Sequence, residues 1–176
     1  MSEPRIVAVV GNPKVGSRTL GAATALADQL AAVLDVPPGD VEVVDLATLA
    51  PGLLAPWSLS PEAAQASAHA RAAELLIMAT PTYKASFTGL LKLFLDTLPA
   101  DALSGTVVVP LTTSAGPAHR HLADLQLRPV LAELGAVVPT PSVLVAESEI
   151  DAVGELVATW VERHRSVVSA TMAALR

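Results

Sequence analysis

Apolar residues along the chain fall into two alternating kinds of segment. The first is a short, nearly unbroken run: 6–10 (IVAVV), 41–44 (VEVV, reaching Asp45), 75–79 (LLIMA), 107–111 and 143–145. β-Branched runs of this length predict strands buried on both faces, as in a parallel sheet. The second kind repeats near every 3.6 residues. Leu20, Ala23, Ala27, Leu30 and Leu34 share one helical face, closed by Pro37-Pro38-Gly39. Phe87, Leu90, Leu91, Phe94, Leu95 and Leu98 form a single stripe that stops at Pro99, and Val153, Leu156, Val157, Trp160, Val161, His164, Val167 and Val168 form another. Two further helices are expected: one from Ser60-Pro61-Glu62, with Ser as N-cap and Pro in first position, and one over about 118–134, stopped by Gly135. Residues 46–60, with Pro51-Gly52 and Pro56, read as irregular.

Strand–helix alternation five times over predicts an open parallel sheet covered on both faces. Right-handed crossovers and five strands favour the order 2-1-3-4-5. That is a flavodoxin-like α/β three-layer sandwich, expected as one domain over residues 1–176, with a ligand beyond the carboxyl ends of strands 1, 3 and 4. Pro129 is an anomaly within the helix expected over 118–134. It has no N–H for the carbonyl of Leu125 and its ring crowds that carbonyl, which predicts a kink or π-bulge near Leu125.

Composition narrows the chemistry. A length of 176 residues suits one domain. The hydrophobic fraction of 52% overstates the core, because 32 of the residues are alanine, which buries little surface. Aromatics make up 3%, too few for a surface that stacks bases, and a net charge of −6 disfavours polyanions, so no nucleic-acid partner is expected. The absence of cysteine excludes disulfides, thiolate metal sites and a cysteine nucleophile. The apolar run at 6–10 is too short, and its flank too acidic, for a signal peptide, and no stretch has the roughly 18–20 apolar residues of a membrane span. A soluble, cytoplasmic protein with no membrane partner is the expectation.

Three polar loops fall where this fold places a ligand. Gly11-Asn12-Pro13-Lys14-Val15-Gly16-Ser17-Arg18-Thr19 joins a strand to a helix. Helix-start amides, the side chains of Asn12, Ser17 and Thr19, and the cations Lys14 and Arg18 suit a phosphate monoester; an ordinary turn with Ser17 as N-cap accounts for the same residues. Gly11 and Gly16 have the spacing of a nucleoside-triphosphatase loop, but Ser17 stands where its lysine belongs, and Asn12-Pro13 breaks a dinucleotide G-x-G-x-x-G. In the second loop, Pro81, Thr82, Tyr83, Lys84 and Ser86 can lay backbone and one aromatic ring beside a flat heterocycle, with Ser86 starting the next helix. In the third, Thr113, Ser114, Ala115 and Gly116 are small enough to admit a ring edge. Tyr83 as a plain surface aromatic, Ser86 as a simple cap and the third loop as a bland connection are the structural alternatives. Among the histidines, His119 and His121 point to different helix faces and do not chelate, His69 reads as solvated, and His164 as packed; no metal site is expected.

The second loop carries a family resemblance. Thr80-Pro81-Thr82-Tyr83-Lys84-Ala85-Ser86-Phe87-Thr88-Gly89-Leu90-Leu91-Lys92, followed by Leu95-Asp96 and Leu98-Pro99, resembles the core signature of the NADPH-dependent FMN reductases that supply reduced flavin to alkanesulfonate monooxygenases. The likeness continues through Val109-Pro110-Leu111, Ala118-His119 and Arg128-Pro129-Val130-Leu131, and the first loop is similar to that family's G-S-P-R…S-R-[ST] segment. The resemblance implies FMN, with its phosphate at Ser17, Arg18 and Thr19, helped by Asn12 and Lys14, and its ring between the second and third loops. It also implies NADPH or NADH as hydride donor, no side-chain acid or base, and a flavin-dependent monooxygenase as partner. Asn12 and Lys14 depart from the family's Ser and Arg; lysine keeps the charge but not the bidentate fork. Leu125 stands where those reductases carry a tyrosine in a π-helical insertion at a tetramer interface. The last amphipathic helix and the sparse charge suggest a homodimer or homotetramer. Rival readings are an FMN-bound quinone or azo reductase and a flavodoxin-like electron carrier.

Overall fold

A computed structural model describes residues 5–55 and 57–176; the first four residues and Pro56 lie outside the described residues. The chain runs β1 (Ile6–Val10), α1 (Arg18–Val33), β2 (Val41–Asp45), α2 (Leu46–Leu53), α3 (Pro61–Ala72), β3 (Leu75–Pro81), α4 (Gly89–Leu95), β4 (Val107–Ser114), α5 (Leu122–Glu133), β5 (Val143–Ala146) and α6 (Val153–Leu175). The strands form one parallel sheet of order β2-β1-β3-β4-β5, as expected. Its register sets Val10 level with Asp45 on one side and Ala79 on the other, so the loops after these strands leave from one edge.

Side chains alternate across the sheet, as the pleat requires, and give each face its own core. Ile6, Ala8, Val10, Leu75, Ile77 and Ala79 meet α1 and α6; Val7, Val9, Leu76 and Met78 meet α2 to α5. Each fully buried Leu or Ile contributes about 1.5–3 kcal/mol of transfer free energy. Part of the stripe on α6 is spent inside the chain: Val157, Val161 and Val168, with Met172, are buried in the core shared with α1, while Val167 is exposed.

Several boundaries differ from the sequence expectation. Residues 46–53 are helical rather than irregular: Asp45 Oδ1 accepts the N–H of Ala47 at 3.2 Å, and the buried Leu46 and Leu53 hold the turn in place despite Pro51. Strands β3 and β4 run on to Pro81 and Ser114, so Thr112, Thr113 and Ser114 are strand and not loop. Helix α4 starts at Gly89 with Thr88 as its cap, not at Ser86, and ends at Leu95, before the expected Pro99. The helix expected over 118–134 is split into a 3-10 turn at Pro117–His119 and α5. No π-bulge forms in α5: the Leu125 N–H donates to the His121 carbonyl at 3.0 Å, in α register. No helix among the described residues is long and apolar enough to cross a membrane.

Candidate functional site

The carboxyl edge of the sheet is shaped first by a missing side chain. A Cβ on Gly11 would lie 2.4 Å from Leu91 Cβ, so only glycine lets α4 rest directly on the chain leaving β1. The Gly11 N–H donates to the Ala79 carbonyl at 2.8 Å, and Thr88 Oγ1 donates to the Gly11 carbonyl. Thr80 Oγ1 in turn accepts the Thr88 N–H at 3.2 Å. Loops from β1 and β3 are thereby clamped to the start of α4.

Beyond Gly11 the loop is wired internally. Asn12 Oδ1 accepts the Lys14 N–H at 3.0 Å, and Asn12 Nδ2 donates to Thr19 Oγ1 at 3.0 Å. The hydroxyls of Thr19 and Thr113 are 2.9 Å apart, a hydrogen bond that reaches β4. Gly16 takes the left-handed conformation (φ +64°), and its N–H donates to Asp45 Oδ2 at 3.0 Å. Ser17 is the N-cap of α1, its Oγ accepting the Leu20 N–H at 3.2 Å. The first-turn amides of a helix have no acceptor within it, and they carry the positive end of its dipole.

A cleft of about 270 Å³ opens over this turn. Asn12, Lys14, Ser17, Arg18 and Thr19 line one side; Pro81, Thr82, Thr113, Ser114 and Ala115 line the others. The structure thus brings together most of the residues that the sequence singled out. Tyr83, Lys84, Ser86 and Gly116 do not line it. Tyr83 and Ser86 close a two-residue turn, with N–H to carbonyl distances of 2.7 and 3.1 Å, and both central residues have positive φ, Lys84 at +50° and Ala85 at +64°. That is type I′ geometry, unusual without glycine or asparagine. The Tyr83 side chain is exposed.

Three lining residues were not among the sequence candidates: Gly16, Glu147 and Ile150. Glu147 directly follows β5, at the same sheet edge, and its carboxylate pairs with Arg18 Nη2. For Glu147 and Ile150 the available signal was their place just after the fifth strand, outside the loops after strands 1, 3 and 4; Gly16 lies within the first of those loops.

The donor set suits a phosphate: helix-start amides, the Ser17 hydroxyl and two exposed cations, Lys14 and Arg18. The histidines lie elsewhere. His69 is not merely solvated, since its Nδ1 contacts Glu42 Oε2. His164 packs on Trp160 with ring centroids 4.8 Å apart, and burial, with Arg163 nearby, holds its imidazole below the ordinary histidine pKa. Among the described residues no group of three His, Asp or Glu side chains is placed to hold a metal.

A parallel sheet of this order, with a cation-flanked cleft at its carboxyl edge, defines a flavodoxin-like α/β protein with a site suited to a mononucleotide phosphate. Residues 4–150 match the family model described as NADPH-dependent FMN reductase. The chain belongs to that family, and it is an oxidoreductase that reduces FMN with a nicotinamide nucleotide. It is 37% identical over 135 residues to the FMN reductase (NADPH) of Escherichia coli strain K12, covering 75% of this chain and 68% of that protein. To the NADH-dependent FMN reductase SfnE of Pseudomonas putida it is 34% identical over 153 residues, covering 85% and 81%. Among solved structures it resembles the apo form of the NADH:FMN oxidoreductase EMOB, with 34% identity and a TM-score of 0.83 over 97% of this chain and 89% of the other. These findings bear out the expected family, fold, activity and cofactors.

Proposed function

We propose that this reductase binds FMN in the cleft over α1 and releases the reduced flavin to a flavin-dependent monooxygenase. The observation that carries the reading is the Ser17-capped first turn of α1 flanked by Lys14 and Arg18, an anion site at the mouth of the cleft. In this reading Ser17, Arg18 and the Thr19 amide hold the phosphate, and Lys14 adds charge. Asn12 and the Thr19 hydroxyl act one step back, because their polar atoms are committed to the loop and to Thr113. Pro81 and Thr82 on one side, and Thr113, Ser114 and Ala115 on the other, bracket the ring. Tyr83, Lys84, Ser86 and Gly116 form the outer rim past which the nicotinamide enters.

The chemistry that FMN supplies when bound is acceptance of a hydride at N5 from the nicotinamide C4, which calls for stacking and orientation. The protein's share is therefore placement, and no side chain needs to act as acid or base. The resemblance of the 80–92 segment to reductases of alkanesulfonate systems supports a monooxygenase as the consumer. The whole chain acts as a single FMN-binding domain in the cytoplasm, as a homodimer or homotetramer; Leu125, 63% exposed on α5, offers an apolar contact to a second copy, and sedimentation checks the assembly.

Nicotinamide oxidation by the purified protein is expected to depend on added FMN, with flavin lost on gel filtration. Rates that saturate in quinone, with flavin retained, would overturn the reading.

A further inference from the structure

We propose that Glu147 is a built-in competitor of the flavin phosphate for Arg18, one that holds FMN affinity down and so favours release of the flavin. The inference rests on the reading that the phosphate sits at the first turn of α1.

The backbone turn that carries Glu147 is held in place by contacts that do not involve Arg18. It opens the 3-10 turn Glu147–Ala152 after β5. The Ala146 N–H donates to Glu149 Oε2 at 2.7 Å. Arg120 Nη2 donates to the two Glu149 carboxylate oxygens at 3.3 and 3.2 Å, and to the Leu144 carbonyl at 3.0 Å. The turn is thus pinned to β5 and to the segment after β4, and it presents Glu147 and Ile150 to the cleft.

Arg18 Nη2 meets the Glu147 carboxylate across that cleft. A guanidinium offers several donors in a planar fork, so it serves a carboxylate and a phosphate by similar geometry. Glu147 therefore stands where a phosphate oxygen would compete for the same donor. An arriving dianion must displace or share that contact, and it meets a like charge at close range. Both side chains are well exposed, at 63% for Arg18 and 49% for Glu147, so the pair is weak and the competition tunes binding without blocking it. Riboflavin, which lacks the phosphate, escapes the competition. Glu147 thus narrows the gap between FMN and riboflavin while leaving ring recognition alone.

The test is titration of the full-length protein with FMN and with riboflavin by flavin fluorescence, for wild type, Glu147→Gln and Arg18→Ala, with circular dichroism to verify folding. Glu147→Gln should bind FMN about three- to tenfold more tightly, with riboflavin unchanged, and the gain should shrink as salt is added. Unchanged or weaker FMN binding by Glu147→Gln, while Arg18→Ala still loses FMN selectively, would overturn this inference and leave the phosphate assignment standing. Equal loss of FMN and riboflavin in Arg18→Ala would overturn the assignment and the inference with it. Equal tightening of both flavins by Glu147→Gln would also overturn it, since it would place Glu147 against the ring.

Discussion

The two edges of the sheet carry similar ions in different arrangements. At the amino edge, Arg5 Nη2 meets Glu74 Oε2 at 3.0 Å and Arg176 Nη2 meets the same oxygen at 2.6 Å. One carboxylate there serves two cations, and together they tie the chain before β1, the chain before β3 and the end of α6. At the carboxyl edge, Lys14 and Arg18 face a single lining carboxylate, Glu147, over helix-start amides that carry further positive potential. Both edges set two cations against one carboxylate; at the amino edge both pair with it, whereas at the carboxyl edge Lys14 pairs with no carboxylate among the described residues and the helix-start amides add to the positive potential.

The most severe way to break that contrast is Gly11→Ala. The added methyl meets Leu91 Cβ at 2.4 Å, so α4 or the loop must shift, at a cost of about 1–3 kcal/mol, and the carboxyl edge is expected to lose both stability and flavin binding. The denaturant midpoint and an FMN titration check it. Next comes Arg18→Ala, which should weaken FMN by about tenfold or more, from the loss of a charge-assisted bond, and leave stability nearly unchanged. An unfolding midpoint that fell as far as the affinity would erase the distinction between the two edges.

At the amino edge, Glu74→Gln should do the reverse, lowering stability at neutral pH without touching FMN affinity. Hydrogen bonding from Arg5, with Arg176 adding to it, holds the Glu74 carboxyl below its ordinary range. A depressed folded-state value stabilises the protein above the unfolded pKa, near 4.5, and that stability is lost as pH falls through the folded value. The gap between wild type and Glu74→Gln is therefore expected at pH 7 and gone in acid; thermal melts across pH 2–7 would show it. The smallest effect is expected at the rim. Replacing Lys84-Ala85 by Asn-Gly supplies residues that adopt positive φ readily, and should stabilise by about 0.5–1 kcal/mol in thermal melts.

Much of this was legible in the chain itself. The strands announce themselves as β-branched runs, and crossover handedness then limits their order to a few arrangements. The clustering of Asn12 to Thr19 with Pro81, Thr82 and Thr113 to Ala115 follows from that order, since loops after β1, β3 and β4 share an edge. What was hidden depends on contacts between distant segments. Ser86 and Thr88 are both competent caps, and Thr88 is set in place by its hydroxyl bonds to Gly11 and the start of α4. Pro51 argues locally against α2, whereas the buried Leu46 and Leu53 outweigh it. Glu147 carries no motif, and only the register of β5 brings it to Arg18. The turn at Lys84-Ala85 lacks the glycine or asparagine that would have marked it.

The contact between Gly11 and Leu91 also constrains how this protein can change. With less than one carbon's room between loop and helix, trimming Leu91 cannot make space for a side chain at 11: the clash falls on the Leu91 Cβ and Cα, so α4 or the loop must move as a body. Gly11 and Thr88 are 77 positions apart and joined by one hydroxyl, so the chain leaving β1 and the start of α4 are inherited, redesigned or lost together.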